Sequence, residues 1–374
     1  MAFVAFCLTL AVCAFACRIV RRGPPNVVLI SIDTLRADHF TREYMPKTYA
    51  WAKKHGIIYT NAQSPDTWTK PSHVSMFTGL RPSEHRAEGM SSYMPADVPV
   101  IAEDMKKQGY HTVAFVGGAQ ISREWKMDRG FDEWQEDVFI YYTDYSATPF
   151  QKLRERYWEP LEQASDWVRG THGEPYFLFI HTYGVHEFFL WGFDPDDMLA
   201  DSEGTNEQIR AHRQKQLAEK GPEAELAAYR AAIRECDDKL SPLLKSLKNA
   251  VVILTADHGE GFAYFGDEPG HTHAPTADQT HVPLVLTGFG RGLHKGVVTT
   301  LDIRYVLTQS EPFPQRSYVI AEDIYWGKET QHRDVAYISD SDRKMVRLPL
   351  DSMPTSSQLS EHAKAALTSL GYME

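Results

Sequence analysis

Cysteine is nearly missing from this chain beyond its first twenty residues. Four occur in 374 residues; Cys7, Cys13 and Cys17 lie in the N-terminal segment, which leaves Cys236 alone in the rest of the chain. With no second thiol to pair, a disulfide framework is excluded. Cys236 lies in the helical-looking stretch Tyr229–Leu240 and reads as a packed core thiol. Excess positive charge is missing too: 39 Lys and Arg against 50 Asp and Glu give a net charge of −11. A nucleic-acid binder needs a basic face, so that class is excluded, while a small anionic substrate stays open because local charge decides it. No internal repeat or low-complexity tract appears, which argues against solenoids and disordered arrays.

One long apolar run is present. Residues 2–20, AFVAFCLTLAVCAFACRIV, carry no charge before Arg18 and are followed by Arg21 and Arg22. This segment reads as a signal peptide, a lipoprotein signal ending at Cys17, or a membrane anchor. An exported protein is therefore expected, whether periplasmic, membrane-anchored or secreted. The whole chain is 43% hydrophobic and 12% aromatic, enough for one large core.

After a Gly23-Pro24-Pro25 linker, Asn26–Ile32 is a continuous apolar, β-branched run that ends at Asp33. That is the pattern of a central parallel strand with a polar residue at its carboxyl edge, where open α/β sheets place their sites. Met45–His55 reads as a helix, and Thr69-Lys70-Pro71-Ser72-His73, running on to Gly79, as the start of another. Pro71 suits a first helical turn, and Thr69 and Lys70 sit where unpaired N–H groups attract anions. Thr69 is then either the N-cap of an ordinary helix or a hydroxyl able to attack a phosphate or sulfate ester. Further on come a helix over Val98–Gly109, a strand over His111–Val116, a helix around Pro149–Arg169 and a strand over Tyr176–Ile180 that ends at His181. His186 follows. The helix Ala224–Leu247 feeds the strand Ala250–Thr255, then Asp257-His258-Gly259-Glu260, and Pro283–Thr287 is a short strand. Residues 119–150 and the charged stretch 190–228 read as the rim of a site and a surface insertion.

Strands alternating with helices over residues 26–290 predict an α/β fold with a doubly wound, mostly parallel sheet flanked by helices. From about residue 291 the texture changes. Val335–Ser339 and Lys344–Leu348 suggest a hairpin, and Ser357–Leu370 a final helix. The expected organisation is a leader or anchor over 1–22, an α/β domain over 23–290, and a small C-terminal α+β subdomain over 291–374 packed on it.

Polar clusters fall at predicted strand ends or on a helix N-terminus: Asp33, Thr69, His181 with His186, and Asp257 with His258. A fifth, Gly270-His271-Thr272-His273, lies in a loop. Asp33, Asp257, His258 and the Thr69 oxygen make a hard-to-borderline set for one divalent metal ion. A metal touching Thr69 would lower its pKa and offset charge developing on an ester. Lys70, His73 and the histidines of the later loops (His186, His271 and His273) would bind the anion or protonate the leaving group. Each residue has a plainer reading: Asp33 as a helix cap, Asp257-His258-Gly259 as a polar turn, and His181 as a hydrogen-bonded core histidine, the reading preferred for it. Their joint occurrence favours a site.

On these residues the chain resembles the sulfatase family, within the alkaline phosphatase superfamily. Asn26–Asp33 with Thr34-Leu35-Arg36-Ala37-Asp38 is similar to the family's opening strand and first metal ligand. Thr69–Gly79 is similar to its nucleophile motif, Cys/Ser-x-Pro-Ser-Arg with a later Thr-Gly. Leu80–His85, Ala102–Gly109, Arg129-Gly-Phe-Asp132, Asp257–Glu260, Gly270-His271, Val282-Pro283-Leu284 and the closing Leu370-Gly371-Tyr372 resemble further landmarks.

Departures from the pattern matter as much. Thr69 stands where the family has a Cys or Ser that becomes formylglycine, and His73 where it has Arg. Threonine cannot become formylglycine, so no formylglycine is expected. Asp33-Thr34 replaces an Asp-Asp pair, and Gly184 stands near His186 in place of an Asp. The resemblance thus implies one metal (Ca, Mn or Zn) and a covalent ester on Thr69, similar to phosphoethanolamine transferases and lipoteichoic acid synthases. The expected activity is hydrolysis of sulfate or phosphate esters of a small molecule, glycan or lipid. Transfer of a phosphoryl group to an envelope glycan or lipid is the alternative within the superfamily, and a non-catalytic relative that binds anionic glycans is the alternative of another class.

Overall fold

The computed structural model describes residues 23–89, 92–136, 154–170, 175–188, 215, 218–262, 270–326 and 331–349. The leader, most of the 190–228 stretch, residues 137–150 and the expected helix Ser357–Leu370 lie outside the described residues. Among those described, no helix is long and apolar enough to cross a membrane.

Nine strands form the main sheet: β1 (Asn26–Ile32), β2 (Gly56–Gln63), β3 (His111–Val116), β4 (Glu133–Glu136), β5 (Tyr176–Thr182), β6 (Ala250–Thr255), β7 (His281–Thr287), β8 (Gly292–His294) and β9 (Val298–Thr299). Their order is β4-β3-β5-β1-β6-β7-β2-β8, with β9 also on β2. Pairing is parallel from β4 through β6, and β7 runs antiparallel to both β6 and β2. Helices α1 (Pro46–His55), α2 (Thr69–Thr78), α3 (Ile101–Lys107), α4 (Glu159–Gly170), α5 (Pro222–Ser246) and α6 (Ile303–Gln309) cover it. The expected doubly wound α/β sheet is what forms.

The continuous apolar runs are explained by burial on both faces, since side chains alternate across a strand. Val28, Ile30 and Ile32 of β1, with Leu178 and Ile180 of β5, enter one core, which α1, α4 and α5 close. Val27 and Leu29, with Phe177 and Phe179, enter the opposite core, closed by α2, α3 and α6. Cys236 is buried in the first core, as a packed thiol should be.

Two features depart from the expectations. β2 was not anticipated, because GIIYTNAQ has only a short apolar run and gains its strand character from its neighbours. Gly56 opens it against β7, where an added Cβ would stand 2.6 Å from the Leu286 carbonyl oxygen. β8 and β9 lie past residue 291 yet pair with β2, so the main sheet reaches further along the chain than a boundary at 290 allows.

The expected hairpin is β11 (Gln331–Ser339) with β12 (Arg343–Pro349), extended by β10 (Tyr318–Trp326) into a three-stranded antiparallel sheet. It grips the segment that leads into α2. Glu322 N donates to Pro65 O (2.8 Å) and Thr67 Oγ1 to Asp323 Oδ2 (2.7 Å). Arg333 bridges buried Glu322 (3.0 Å) and Glu88 (2.8 Å). Removing one partner from such a buried network leaves uncompensated charge, which costs about 3–5 kcal/mol. Arg333→Met should therefore lower stability by that order in urea unfolding, and a loss below about 1 kcal/mol would show the network to be solvent-relieved.

Candidate active site

Parallel pairing sets Ser31 of β1 opposite His181 of β5 on one side and Thr255 of β6 on the other. The three central strands therefore end together and deliver Asp33, His181 and Asp257-His258 to one sheet edge. All four side chains are fully buried. Asp257 Oδ1 accepts from the backbone N–H groups of His258 (2.9 Å) and Thr34 (3.3 Å), while Asp257 Oδ2 and Asp33 Oδ1 make no hydrogen bond. Thr34 has φ = 60°, a left-handed conformation that a β-branched residue rarely adopts. Its carbonyl accepts from Tyr229 Oη of α5 (2.8 Å), which also receives the N–H of Arg36 (2.9 Å), so the turn after Asp33 is held from both sides.

Helix α2 brings the hydroxyl. Trp68, not Thr69, takes the N-cap position, its N–H held by Asp66 Oδ1 (2.8 Å). Thr69 is the first helical residue and Pro71 the third, so the Thr69 side chain caps nothing. Its Oγ1 donates to Asp33 Oδ2 (3.2 Å) and lies 3.3 Å from His258 Nε2. His258 Nδ1 donates to Gly259 O (2.8 Å), which turns the Nε2 lone pair toward Asp33 and Thr69. Ser72 Oγ donates to Asp257 O (2.7 Å) and ties the helix to β6. His73 points beneath the site: Nδ1 donates to Thr69 O (2.7 Å) and Nε2 meets Ser31 Oγ (2.9 Å).

The remaining predicted residues divide. The His271 ring lies 4.4 Å from that of His258 and 5.2 Å from that of His186, so these histidines form one rim. Each outer one is oriented by a carboxylate: His271 Nδ1 on Glu260 (2.9 Å) and His186 Nδ1 on Glu187 (2.9 Å). His273 instead accepts from Gln279 (3.0 Å). Lys70 is buried, with its ammonium 4.0 Å from the centroid of the Trp125 ring. His181, read as a hydrogen-bonded core residue, is buried but makes no hydrogen bond from either ring nitrogen, and its Nε2 stands 3.3 Å from Asp33 Oδ2. The reason is its strand end: the apolar run before it matches that of β1 in register, a signal readable once both runs are taken as parallel neighbours.

The electrostatics follow from burial. Burial first, and then Asp257, push the Asp33 carboxyl up to about 8. Burial acts on Asp257 in the same direction, yet His258, His73 and His181 hold it well below the usual carboxylate range. Burial lowers His73 to about 3 and His181 to about 4, so both rings are neutral. His186 is opposed by burial but raised to about 10, chiefly by Asp33 and Glu187. The ligand atoms of Asp33, Asp257 and His258 lie within 4.8 Å of one another. Two carboxylate oxygens without hydrogen bonds, a lone pair aimed between them and a hydroxyl at the edge are donors that fit a divalent metal ion.

A model of the sulfatase family matches residues 25–303. This chain belongs to the sulfatase family. It is 23% identical over 307 residues to an ulvan-active sulfatase of Formosa agariphila, an alignment that takes in 75% of this chain and 59% of that one. The chain spans 28–59% of the length of the curated relatives it matches. Among solved structures, a 2-O GAG sulfatase is similar at TM-score 0.63 and 16% identity, covering 93% of this chain and 92% of that one. The phosphonate monoester hydrolase of Agrobacterium radiobacter is similar at TM-score 0.63 and 15% identity, covering 93% and 95%.

Within this sulfatase-family fold, one departure has a steric reason. A Cβ at Gly184 would stand 2.1 Å from the ring of Trp158, which is fully buried and donates to Glu235 (2.9 Å). No larger residue fits there. Gly184→Asp should therefore destabilise by about 1–3 kcal/mol or more through overpacking, read as a lower melting temperature, and a neutral result would mean the Trp158 ring moves freely.

His85 braces α2. Its Nε2 lies 3.1 Å from Pro71 O and 3.0 Å from Ser75 Oγ, and its Nδ1 accepts from the Ala87 N–H (3.0 Å). Burial pushes it from 6.5 down to about 3, so the unfolded chain binds the extra proton in between, and stability falls as pH drops through that window. Urea midpoints of His85→Gln should accordingly vary less than wild type between about pH 6.5 and pH 4. An unchanged slope would remove His85 from the acid sensitivity.

Proposed function

We propose that this protein is a metal-dependent hydrolase of sulfate or phosphate esters with Thr69 as its nucleophile. The observation that carries the reading is Thr69 Oγ1, 3.2 Å from Asp33 Oδ2 and 3.3 Å from His258 Nε2, beside two buried carboxylate oxygens that make no hydrogen bond. Asp33, Asp257, His258 and Thr69 would hold one divalent ion. Bound there, it would supply Lewis acidity, lowering the hydroxyl pKa and offsetting charge on the ester oxygens.

Thr69 Oγ attacks the sulfur or phosphorus in line, a new bond forms to the threonine oxygen, and the bond to the leaving oxygen breaks. The hydroxyl proton leaves along the hydrogen bond to Asp33 Oδ2, which accepts it as the carboxylate, the form a bound cation would favour. His186, protonated, and His271, its Nδ1 fixed by Glu260, hold the anion's oxygens or return a proton to the leaving group. Water then cleaves the threonine ester and releases sulfate or phosphate. His73 supports from below, because both of its ring nitrogens are engaged. Of the two loop histidines, His271 is favoured over His273 by its place on the rim.

Sulfated or phosphorylated glycans are the substrate class we favour. The names of the ulvan-active sulfatase and the 2-O GAG sulfatase support the sugar, and that of the phosphonate monoester hydrolase supports phosphorus chemistry. The apolar segment 2–20 supports export of the enzyme.

Thr69→Ala should lower kcat/KM toward aryl sulfate and aryl phosphate esters by at least about a thousandfold, with bound metal unchanged in stoichiometry. Turnover near wild type on either ester would dismiss Thr69 as the nucleophile.

A further inference from the structure

We propose that His181 is itself a metal ligand, so that the centre offers two imidazole nitrogens alongside Asp33, Asp257 and Thr69. This rests on the metal-dependent reading above and deepens it by naming the class of ion. His181 is fully buried at the end of β5, and neither of its ring nitrogens makes a hydrogen bond. Buried polar atoms are ordinarily paired, and leaving them unpaired is costly. His73, whose ring packs on that of His181, and His85, equally buried, obey that rule with both ring nitrogens engaged. His181 breaks it at the point where Asp33 Oδ1 and Asp257 Oδ2 break it too.

The spacing places His181 at the border of the Asp33–Asp257–His258 group, against Asp33 and sharing Asp257, so an ion held by that group would draw the ring in. Bonds of about 2.0–2.2 Å from a metal to nitrogen or oxygen donors set neighbouring donors roughly 3.2–3.6 Å apart at tetrahedral angles. His181 Nε2 is 3.3 Å from Asp33 Oδ2, outside hydrogen-bond geometry, and Thr69 Oγ1 is 3.2 Å from that same oxygen. His258 Nε2 is 3.3 Å from Thr69 Oγ1 and 3.6 Å from Asp257 Oδ2. His181 also shares with Asp257 and His73 a cluster of ligand atoms within 4.8 Å of one another. His73 drops out of that set because its ring nitrogens serve Thr69 O and Ser31. A second nitrogen changes the ion: Ca²⁺ and Mg²⁺ favour all-oxygen shells, whereas imidazole suits Zn²⁺ and its transition-metal neighbours.

The test uses the full chain, stripped by chelator and reloaded with Zn²⁺, Co²⁺ or Ca²⁺. X-ray absorption at the zinc edge of the loaded wild type should count two imidazoles; a count of one overturns the assignment and needs no variant to fold. In calorimetric titration, Zn²⁺ and Co²⁺ should bind more tightly than Ca²⁺. His181→Gln should weaken Zn²⁺ binding by at least about tenfold, since even the loss of an outer-shell partner costs that much. It should also shift the visible absorption of bound Co²⁺. Unchanged affinity and spectrum would overturn the proposal while leaving the metal site standing, provided that Asp257→Asn abolishes Zn²⁺ binding. If the wild type binds none of the three ions, the metal reading itself fails and His181 falls with it.

Discussion

Two carboxylates buried side by side at the end of a parallel sheet are the constraint on which this molecule turns. Asp33 and Asp257 come from adjacent strands, both wholly removed from solvent, and each keeps one oxygen without a hydrogen bond. Buried like charges cannot both persist without compensation. Asp257, held below the usual carboxylate range, keeps its charge and accepts the N–H groups of His258 and Thr34, and burial next to that charge drives Asp33 toward its protonated form. A divalent cation would satisfy both at once, and under the function proposed above the geometry that is awkward for a folded core would then serve to activate a hydroxyl.

The rest of the architecture keeps that arrangement rigid. Helices on both faces close two separate cores, so the central strands cannot slide without exposing one of them. Tyr229 clamps the left-handed turn at Thr34, Ser72 ties α2 to β6, and His85 braces the opposite side of α2. The C-terminal sheet grips Pro65 and Thr67, just ahead of Thr69. Among the described residues it serves the site through the backbone that sets where α2 begins.

Much of this was legible in the order of residues. Apolar runs buried on both faces announced the parallel strands, and a polar residue at the end of each marked the sheet edge. β2 was hidden because its edge-side, half-polar sequence lacks that signature, and its pairing with β7 comes from packing. His181 was harder for a different reason. A histidine after an apolar strand looks the same whether its nitrogens are bonded or bare, and only the placement of Asp33 next to it separates the two.

The sequence by itself determined the fold class and the order in which Asp33, Thr69, Asp257 and His258 follow apolar strands or open a helix, because these rest on residue identity and strand periodicity. The tertiary structure decided which groups share one space. Register across β1, β5 and β6 is a long-range property, so the entry of His181, the withdrawal of His73 beneath the site and the separation of His271 from His273 follow only from pairing and packing. Trp158 against Gly184 belongs to the same class: a close approach between segments far apart in the chain, which no local pattern encodes.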